Sequence, residues 1–202
     1  MGITILVTGF GPFPGAPYNP TAALAKRVAQ FRRPALSNVK IVPHVFPTSY
    51  AAVDHDLPML IGKYQPDALL MFGLARRARA MRVETRARNA RALWPDITGA
   101  STQGRPIEAG KPSLMRMPAC PQRLLLACRT AKIPAAISRD AGRYVCNYLC
   151  WRAAALAASG SGPRIAAFIH IPGKRNRAAR SLQDFSVAGA HVLVALAAAA
   201  RR

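Results

Sequence analysis

Residues 3–31 read ITILVTGFGPFPGAPYNPTAALAKRVAQF, and this stretch contains a strand pattern, a turn pattern and a helix pattern in succession. The apolar run at 4–8 predicts a buried β-strand. Asn19 followed by Pro20 is typical of an N-cap and a first helical residue, so we expect a helix over 21–31. A strand that leads through a turn into an amphipathic helix indicates an α/β protein.

The same alternation continues along the chain. Further strands are predicted at 39–46, 68–72, 135–137 and 164–171. Further helices are predicted at 50–63, 122–131, 144–158 and 181–200. We therefore predict one domain over residues 1–202, an α/β/α sandwich with a mixed, mostly parallel sheet and helices on both faces. Residues 75–118 lack periodicity, and we expect a long excursion there with short strands and a functional role.

Targeting signals and cysteine usage favour an intracellular protein. No basic segment and apolar core of a signal peptide precede the first strand, so we expect a cytoplasmic protein. The apolar stretch 187–200 is shorter than the roughly 20 residues of a membrane span, so we expect no membrane association. The cysteines fit neither a disulfide framework nor a zinc site, and we expect reduced thiols. They are Cys120, Cys128, Cys146 and Cys150.

The net charge of +21 is the most unusual bulk property. It would attract polyanions such as nucleic acid, so a polyanion-binding protein is one hypothesis. Of the 29 basic residues, 23 are Arg, and they are scattered without the aromatic side chains on which single strands stack. We therefore expect no specific nucleic-acid partner.

Cys146 is the candidate nucleophile. It lies at the predicted start of a helix, after a turn built on residues 140–142. A helix N-terminus carries partial positive charge and free N–H groups, which favour a thiolate and can bind an oxyanion. The alternative is an ordinary core thiol, which is our interpretation of Cys150.

His170 and Glu84 are the candidate partners of that thiol. His170 ends an apolar run, so it should emerge at the carboxyl end of a buried strand, where open α/β sheets place their sites. A cysteine nucleophile needs such a base and a third group that orients the imidazole. Glu84 could be that group, or it could form a surface ion pair with the surrounding arginines.

Four segments together resemble a known family. They read LVTGFGPFPGAPYNPT at 6–21, GLARRARAMRVETRARN at 73–89, AAISRDAGRYVCNYLCW at 135–151 and AAFIHIPG at 166–173. In order and separation they are similar to the signature regions of pyroglutamyl peptidase I. Gly73 precedes Glu84 by eleven positions and Asn89 follows it by five, as in the glutamate signature of that family.

The resemblance implies a cysteine peptidase that removes an N-terminal pyroglutamate without a metal or organic cofactor. Cys146 would attack the carbonyl, His170 would act as base and then acid, and Glu84 would orient His170. Small peptides would be the substrates, and a homo-oligomer, dimer or tetramer, is expected. The residues implied in binding the lactam ring are Phe10 and Phe13 on its two faces, with Asn19, Gly73 and Leu74.

Three departures from the family pattern leave a second hypothesis open. Leu74 replaces the usual Gln, and Leu93 or Trp94 stands where the family carries an Arg, with Arg91 as a neighbouring substitute. The usual glycine-rich stretch reads ARRARA at 75–80, which makes the rim of the site more cationic. The alternative is a protein of the same fold with another small acyl or amide substrate, or without activity.

Overall fold

The structure is a computed structural model that describes residues 2–173 and 180–202. Its strands are β1 (Ile3–Phe10), β2 (Val39–Phe46), β3 (Ala68–Ala75), β4 (Met81–Glu84), β5 (Arg86–Arg88), β6 (Leu114–Arg116), β7 (Ala135–Ser138) and β8 (Ile165–Pro172). Its helices are α1 (Pro20–Gln30), α2 (Tyr50–Tyr64), α3 (Pro121–Thr130), α4 (Val145–Ala158) and α5 (Leu182–Ala200). These elements confirm the predicted alternation, with boundaries shifted by a few residues.

Six strands form one sheet in the order β2-β1-β3-β8-β4-β7. β2, β1, β3 and β8 are parallel, whereas β4 runs antiparallel to β8 and pairs in parallel with β7. The predicted mixed, mostly parallel sheet is thus confirmed. β5 and β6 form a separate two-stranded ribbon. Together with β4 they are the short strands expected within residues 75–118.

Two apolar cores cover the two faces of the sheet. On one face, α1, α3 and α5 pack around Phe72 and Ile169. On the other face, α2, α4 and the β5–β6 ribbon pack around Phe168 and Trp151. This arrangement confirms the α/β/α sandwich. The face that carries α4 is the one on which the candidate residues meet.

Side-chain caps are present at the starts of α1 and α5. Asn19 accepts a hydrogen bond from Thr21 N at 3.1 Å, which confirms it as the N-cap of α1. Ser181 and Asp184 form a reciprocal capping box at α5. α5 is long and apolar enough to span a membrane by length and composition, and 50% of its most apolar window is buried. Because it packs on α1 and α3, it serves here as a helix of the core.

Gly9 allows β1 to approach the first turn of α1. A Cβ atom at Gly9 would lie 2.1 Å from Thr21 O. We expect Gly9→Ala to lower the free energy of unfolding by about 3 kcal/mol, because backbone must move to relieve the overlap. Urea denaturation measures this change.

Gly62→Ala is the matched control for Gly9→Ala. Gly62 lies inside α2, and a Cβ atom there would have nothing within 4 Å. Alanine should raise stability there by up to about 1 kcal/mol, since it favours helix more than glycine does. Equal effects of the two substitutions would contradict the packing argument.

Candidate active site

Cys146 is the second residue of α4 and is partly exposed. The N-cap of this helix, Tyr144, makes no side-chain capping bond. The first bond of the helix runs from Tyr148 N to Tyr144 O at 3.0 Å. The N–H groups of residues 145–147 come before this first hydrogen bond, so they have no acceptor within the helix. The structure places the sulfur at the positive end of α4, as the sequence predicted.

The turn before α4 is fixed by side chains around Asp140. Its Oδ1 accepts from Gly142 N at 3.0 Å and from Arg88 Nε at 3.1 Å. Gly142 has φ +84°, a left-handed conformation that favours glycine. Asn147 is fully buried and bonds both Arg88 N and Arg88 O, at 2.8 and 2.9 Å. Asn147, the residue after Cys146, thus attaches the start of α4 to β5 and fixes the position of Cys146.

His170 and Glu84 are in direct contact. Nδ1 of His170 lies 2.8 Å from Oε1 of Glu84, between the adjacent strands β8 and β4. The side chain of Glu84 is completely buried, so it does not form the surface ion pair that was the alternative. Within the described residues its second oxygen, Oε2, has no hydrogen-bond partner. A buried carboxylate in this setting is stabilised by a positive charge, and the adjacent imidazole is the group that can supply it.

The pKa of His170 is raised to about 9. Burial alone would lower it, but interactions with Cys146 and with Glu84 outweigh burial and favour the imidazolium. The ring is therefore protonated at neutral pH. A protonated imidazole in this position can give its proton to a leaving group.

A cavity of about 640 Å³ opens above the sulfur. Cys146 and His170 both line it. Of the five residues predicted to bind substrate, four also line it, namely Phe10, Phe13, Asn19 and Leu74. This volume is within the range of small-ligand pockets and leaves space beyond a single lactam ring.

Gly73 does not line the cavity. It pairs with His170 in the β3–β8 register, and a Cβ atom there would lie 2.7 Å from the Phe168 ring and 2.9 Å from Cδ2 of His170. The absence of a side chain at Gly73 therefore leaves space for the imidazole.

Asn19 has a second structural role besides capping α1. Its Nδ2 donates to Gly11 O at 2.9 Å, and the same oxygen accepts from Thr48 Oγ1 at 3.0 Å. These bonds hold the loop between β1 and α1, which carries Phe13, against the cavity. One of the two amide protons of Asn19 remains available for another acceptor.

Several lining residues were not predicted from the sequence. Tyr144 lies with its ring centroid 6.4 Å from that of Phe13 and 6.3 Å from that of Trp94, and all three line the cavity. An aromatic residue two positions before Cys146 was the available signal for Tyr144. Arg91 does not line the cavity, since its Nη2 donates to the carbonyls of Pro106 and Ile107. Trp94 occupies the wall instead.

The remaining histidines and cysteines lie outside this cavity. His44 bonds Asp56 at 3.1 Å, and His55 bonds the same carboxylate at 2.8 Å. Cys150 is fully buried, and burial raises its pKa well above the ordinary value, as expected for a core thiol. Among residues 2–173 and 180–202, no group of three or more His, Cys, Asp or Glu side chains is placed to hold a metal ion.

A family model described as pyroglutamyl peptidase matches residues 3–201. The chain belongs to the pyroglutamyl peptidase family. The pyrrolidone-carboxylate peptidase of Thermococcus kodakarensis is 34% identical over 170 residues, covering 83% of this chain and 80% of that protein. The corresponding peptidase of Clavibacter michiganensis is 31% identical over 170 residues, covering 84% of this chain and 78% of that protein.

Solved structures agree with the family assignment. Pyroglutamyl peptidase I of Bacillus amyloliquefaciens superposes with a TM-score of 0.86 at 29% identity and covers 97% of each chain. A mutant pyrrolidone carboxyl peptidase of Pyrococcus furiosus gives a TM-score of 0.85 at 26% identity, over 96% of this chain and 98% of that one. The family consists of cysteine-type hydrolases, and the chain is one of them. The resemblance inferred from four sequence segments is confirmed, and the polyanion-binding alternative is not favoured.

Proposed function

We propose that the chain hydrolyses the amide bond after an N-terminal pyroglutamate and that Cys146, His170 and Glu84 perform this reaction. The observation that carries the proposal is the 2.8 Å contact between His170 and the buried Glu84, in the wall of a cavity that Cys146 also lines. This arrangement contains a nucleophile, a base and an orienting carboxylate in the order that acyl transfer requires.

In the proposed reaction, the sulfur of Cys146 attacks the carbonyl carbon between pyroglutamate and the next residue. The free N–H groups at the start of α4 are positioned for the oxyanion of the tetrahedral intermediate. His170 gives its proton to the leaving amine, which breaks the C–N bond and leaves a thioester on Cys146. Water, deprotonated by His170, then hydrolyses the thioester and releases pyroglutamate. Glu84 keeps the imidazole oriented and stabilises its positive charge.

The lactam ring is proposed to lie between Phe10 and Phe13. Both residues line the cavity, Phe13 with a partly exposed side chain and Phe10 with a buried one, and a flat, uncharged ring suits aromatic faces. Asn19 can donate its remaining amide proton to a ring carbonyl. Leu74 contributes apolar surface where the family usually carries an amide, and Gly73 contributes space for His170. Leu74 and Trp94 make this part of the cavity wall apolar, which suits a ligand group without charge.

Release of 7-amino-4-methylcoumarin from its pyroglutamyl amide tests the proposed activity. We expect hydrolysis of this substrate and none of the matching prolyl amide, which lacks the ring carbonyl, or of the glutamyl amide, which carries charge and an open chain. Comparable rates on all three amides, or hydrolysis of another acyl group alone, would contradict the proposal and favour a changed substrate.

The decline of kcat/KM at alkaline pH should reflect deprotonation of His170. Because the imidazolium is the proton donor and its pKa is about 9, kcat/KM should fall as the pH rises through about 9. Removal of the Glu84 charge takes away one interaction that raises this pKa, so in Glu84→Gln the decline should begin at a lower pH. Initial rates at low substrate concentration, measured across this range for both proteins, show the shift; an unshifted decline would contradict the assignment.

We also propose that one domain spanning residues 1–202 carries the activity, in the cytoplasm and as a dimer or tetramer. The match to one family model over residues 3–201 supports a single domain. All four cysteines are free thiols, which suits a reducing compartment. Apolar side chains of α5 that are only partly buried, including Val187 and Val194, support self-association. Light scattering on the protein as it elutes from a gel-filtration column measures its molar mass and hence the number of subunits.

A further inference from the structure

Four arginines line the cavity that contains Cys146 and His170, and all four are exposed. They are Arg76, Arg77, Arg82 and Arg143. All eight acidic residues of the chain lie in the part that the structure describes, and none forms an ion pair with these four. The acids at the cavity have other partners, since Asp140 binds Arg88 and Glu84 binds His170. The mouth of the cavity therefore carries an excess of positive charge.

Arg76 and Arg77 are fixed by a tight turn. Ala78 N donates to Ala75 O at 2.9 Å, so the two arginines occupy the central positions of a turn directly after β3. The guanidinium of Arg76 lies against Gly15, where a Cβ atom would be 3.0 Å from its Nη1. Gly15 belongs to the turn that carries Phe13, which two backbone bonds between Phe13 and Ala16 close at 3.2 and 2.8 Å. One cation is thus held next to the proposed lactam site.

Arg82 lies beside the catalytic histidine. In the antiparallel pairing of β4 with β8, Arg82 is directly opposite His170. Arg82 and Glu84 are two residues apart on one strand, so their side chains lie on the same face of the sheet. Glu84 is buried behind the imidazole, whereas Arg82 reaches the cavity surface. A second cation is therefore placed on the imidazole side of the opening.

The positive edge continues into a neighbouring cavity. Leu74, Arg76 and Arg77 also line a second cavity of about 770 Å³, to which Arg180 and Tyr18 contribute. The two cavities meet along these arginines, so the site resembles a groove with space beyond the lactam. This groove offers space beyond the lactam for the part of a peptide that follows the scissile bond.

We propose that Arg76, Arg77 and Arg82 form a carboxylate-binding rim that favours pyroglutamyl peptides with an acidic residue directly after the pyroglutamate. This inference rests on the proposed function, since it concerns the leaving group of the same reaction. Guanidinium groups bind carboxylates through two parallel hydrogen bonds. A cleft lined by one sign of charge also concentrates oppositely charged ligands, and salt weakens this effect.

The test compares kcat/KM for pyroglutamyl-glutamyl amide and pyroglutamyl-glutaminyl amide, which differ only in a carboxylate. We expect about a fivefold preference for the glutamyl peptide at low ionic strength, as a few partly exposed ion pairs would give. The preference should shrink as salt rises from about 0.02 M to about 0.5 M. In R76Q/R77Q the ratio of kcat/KM for the glutamyl peptide to that for the glutaminyl peptide should fall towards one. The control R123Q/R129Q removes the same charge from exposed positions on α3, outside both cavities, and should keep the preference.

Equal rates on the two peptides, or a preference that is undiminished in R76Q/R77Q, would contradict the proposed carboxylate-binding rim. If neither peptide is hydrolysed, the proposed function fails. Binding of the two peptides to the Cys146→Ala variant then tests the carboxylate-binding rim independently of catalysis. Calorimetric titration of this variant with both peptides supports the rim if the glutamyl peptide binds several-fold more tightly. It refutes the rim if the two affinities are equal.

Discussion

Replacing Cys146 with alanine is expected to reduce kcat/KM for the pyroglutamyl coumarin amide by about 10⁴-fold or more, as loss of a nucleophile does in acyl transfer. The sulfur is the group that forms the thioester, and no other cysteine lines the cavity formed by the described residues. Fluorescence release by equal amounts of folded wild type and variant, with far-UV circular dichroism as a check of folding, measures the loss.

Cys120 provides the matched control, because it is an exposed thiol at the N-cap of α3, away from the cavity. Cys120→Ala should keep wild-type kcat/KM. Iodoacetamide should still inactivate that variant, in step with the modification of one remaining accessible thiol. Full hydrolytic activity after alkylation of Cys146 would remove the basis of the proposed mechanism.

Glu84→Gln is expected to lower kcat/KM by about 10⁴-fold, the loss seen when the carboxylate that orients a catalytic imidazole becomes an amide. Glutamine preserves the size of the side chain but removes the charge that stabilises the imidazolium. It can also present an N–H to Nδ1 of His170 and favour the wrong tautomer. Steady-state kinetics together with the alkaline decline of the pH profile separate this effect from simple misfolding.

Glu108→Gln is the control for this substitution. Glu108 is a partly buried acid with defined partners, whereas Glu84 is completely buried: Oε1 of Glu108 accepts from Trp151 Nε1 at 3.1 Å and lies 3.5 Å from Arg152. It does not line the active-site cavity. Its substitution should affect stability more than kcat/KM. If Glu84→Gln retained wild-type kcat/KM and the same alkaline decline, Glu84 would have no orienting role.

The sequence predicted the long elements well because their patterns are strong. β8 is an apolar run buried without interruption from residue 166 to 171, α4 is largely apolar and buried, and Asn19 gives a capping signal that the structure confirms. The predicted strands at 4–8 and 68–72 ended too early, since Gly9 and Gly73 resemble strand breakers. In the folded chain both glycines continue the strands, because a neighbouring backbone or side chain occupies the space of a Cβ atom.

β4 and the cavity walls were harder to predict. Met81–Glu84 has only four residues, with an exposed Arg82 between two buried apolar ones, and a pattern of this length does not reveal its partner strands. The position of Glu84 was inferred from family resemblance, whereas its burial depends on β4 pairing with β8, 86 residues away along the chain. Arg82 reaches the cavity through this long-range pairing, so no local pattern indicated it.

The central place of β8 has a consequence for synthesis of the protein. β8 lies between β3 and β4, yet it follows every other strand in the order of translation. Until the ribosome has released it, β3 and β4 each present an unpaired edge, which is the kind of surface that recruits foreign strands. The nascent chain therefore depends on its last strand both to join β3 to β4 and to bring the imidazole to its carboxylate, so catalysis begins only when these two inner strands are paired.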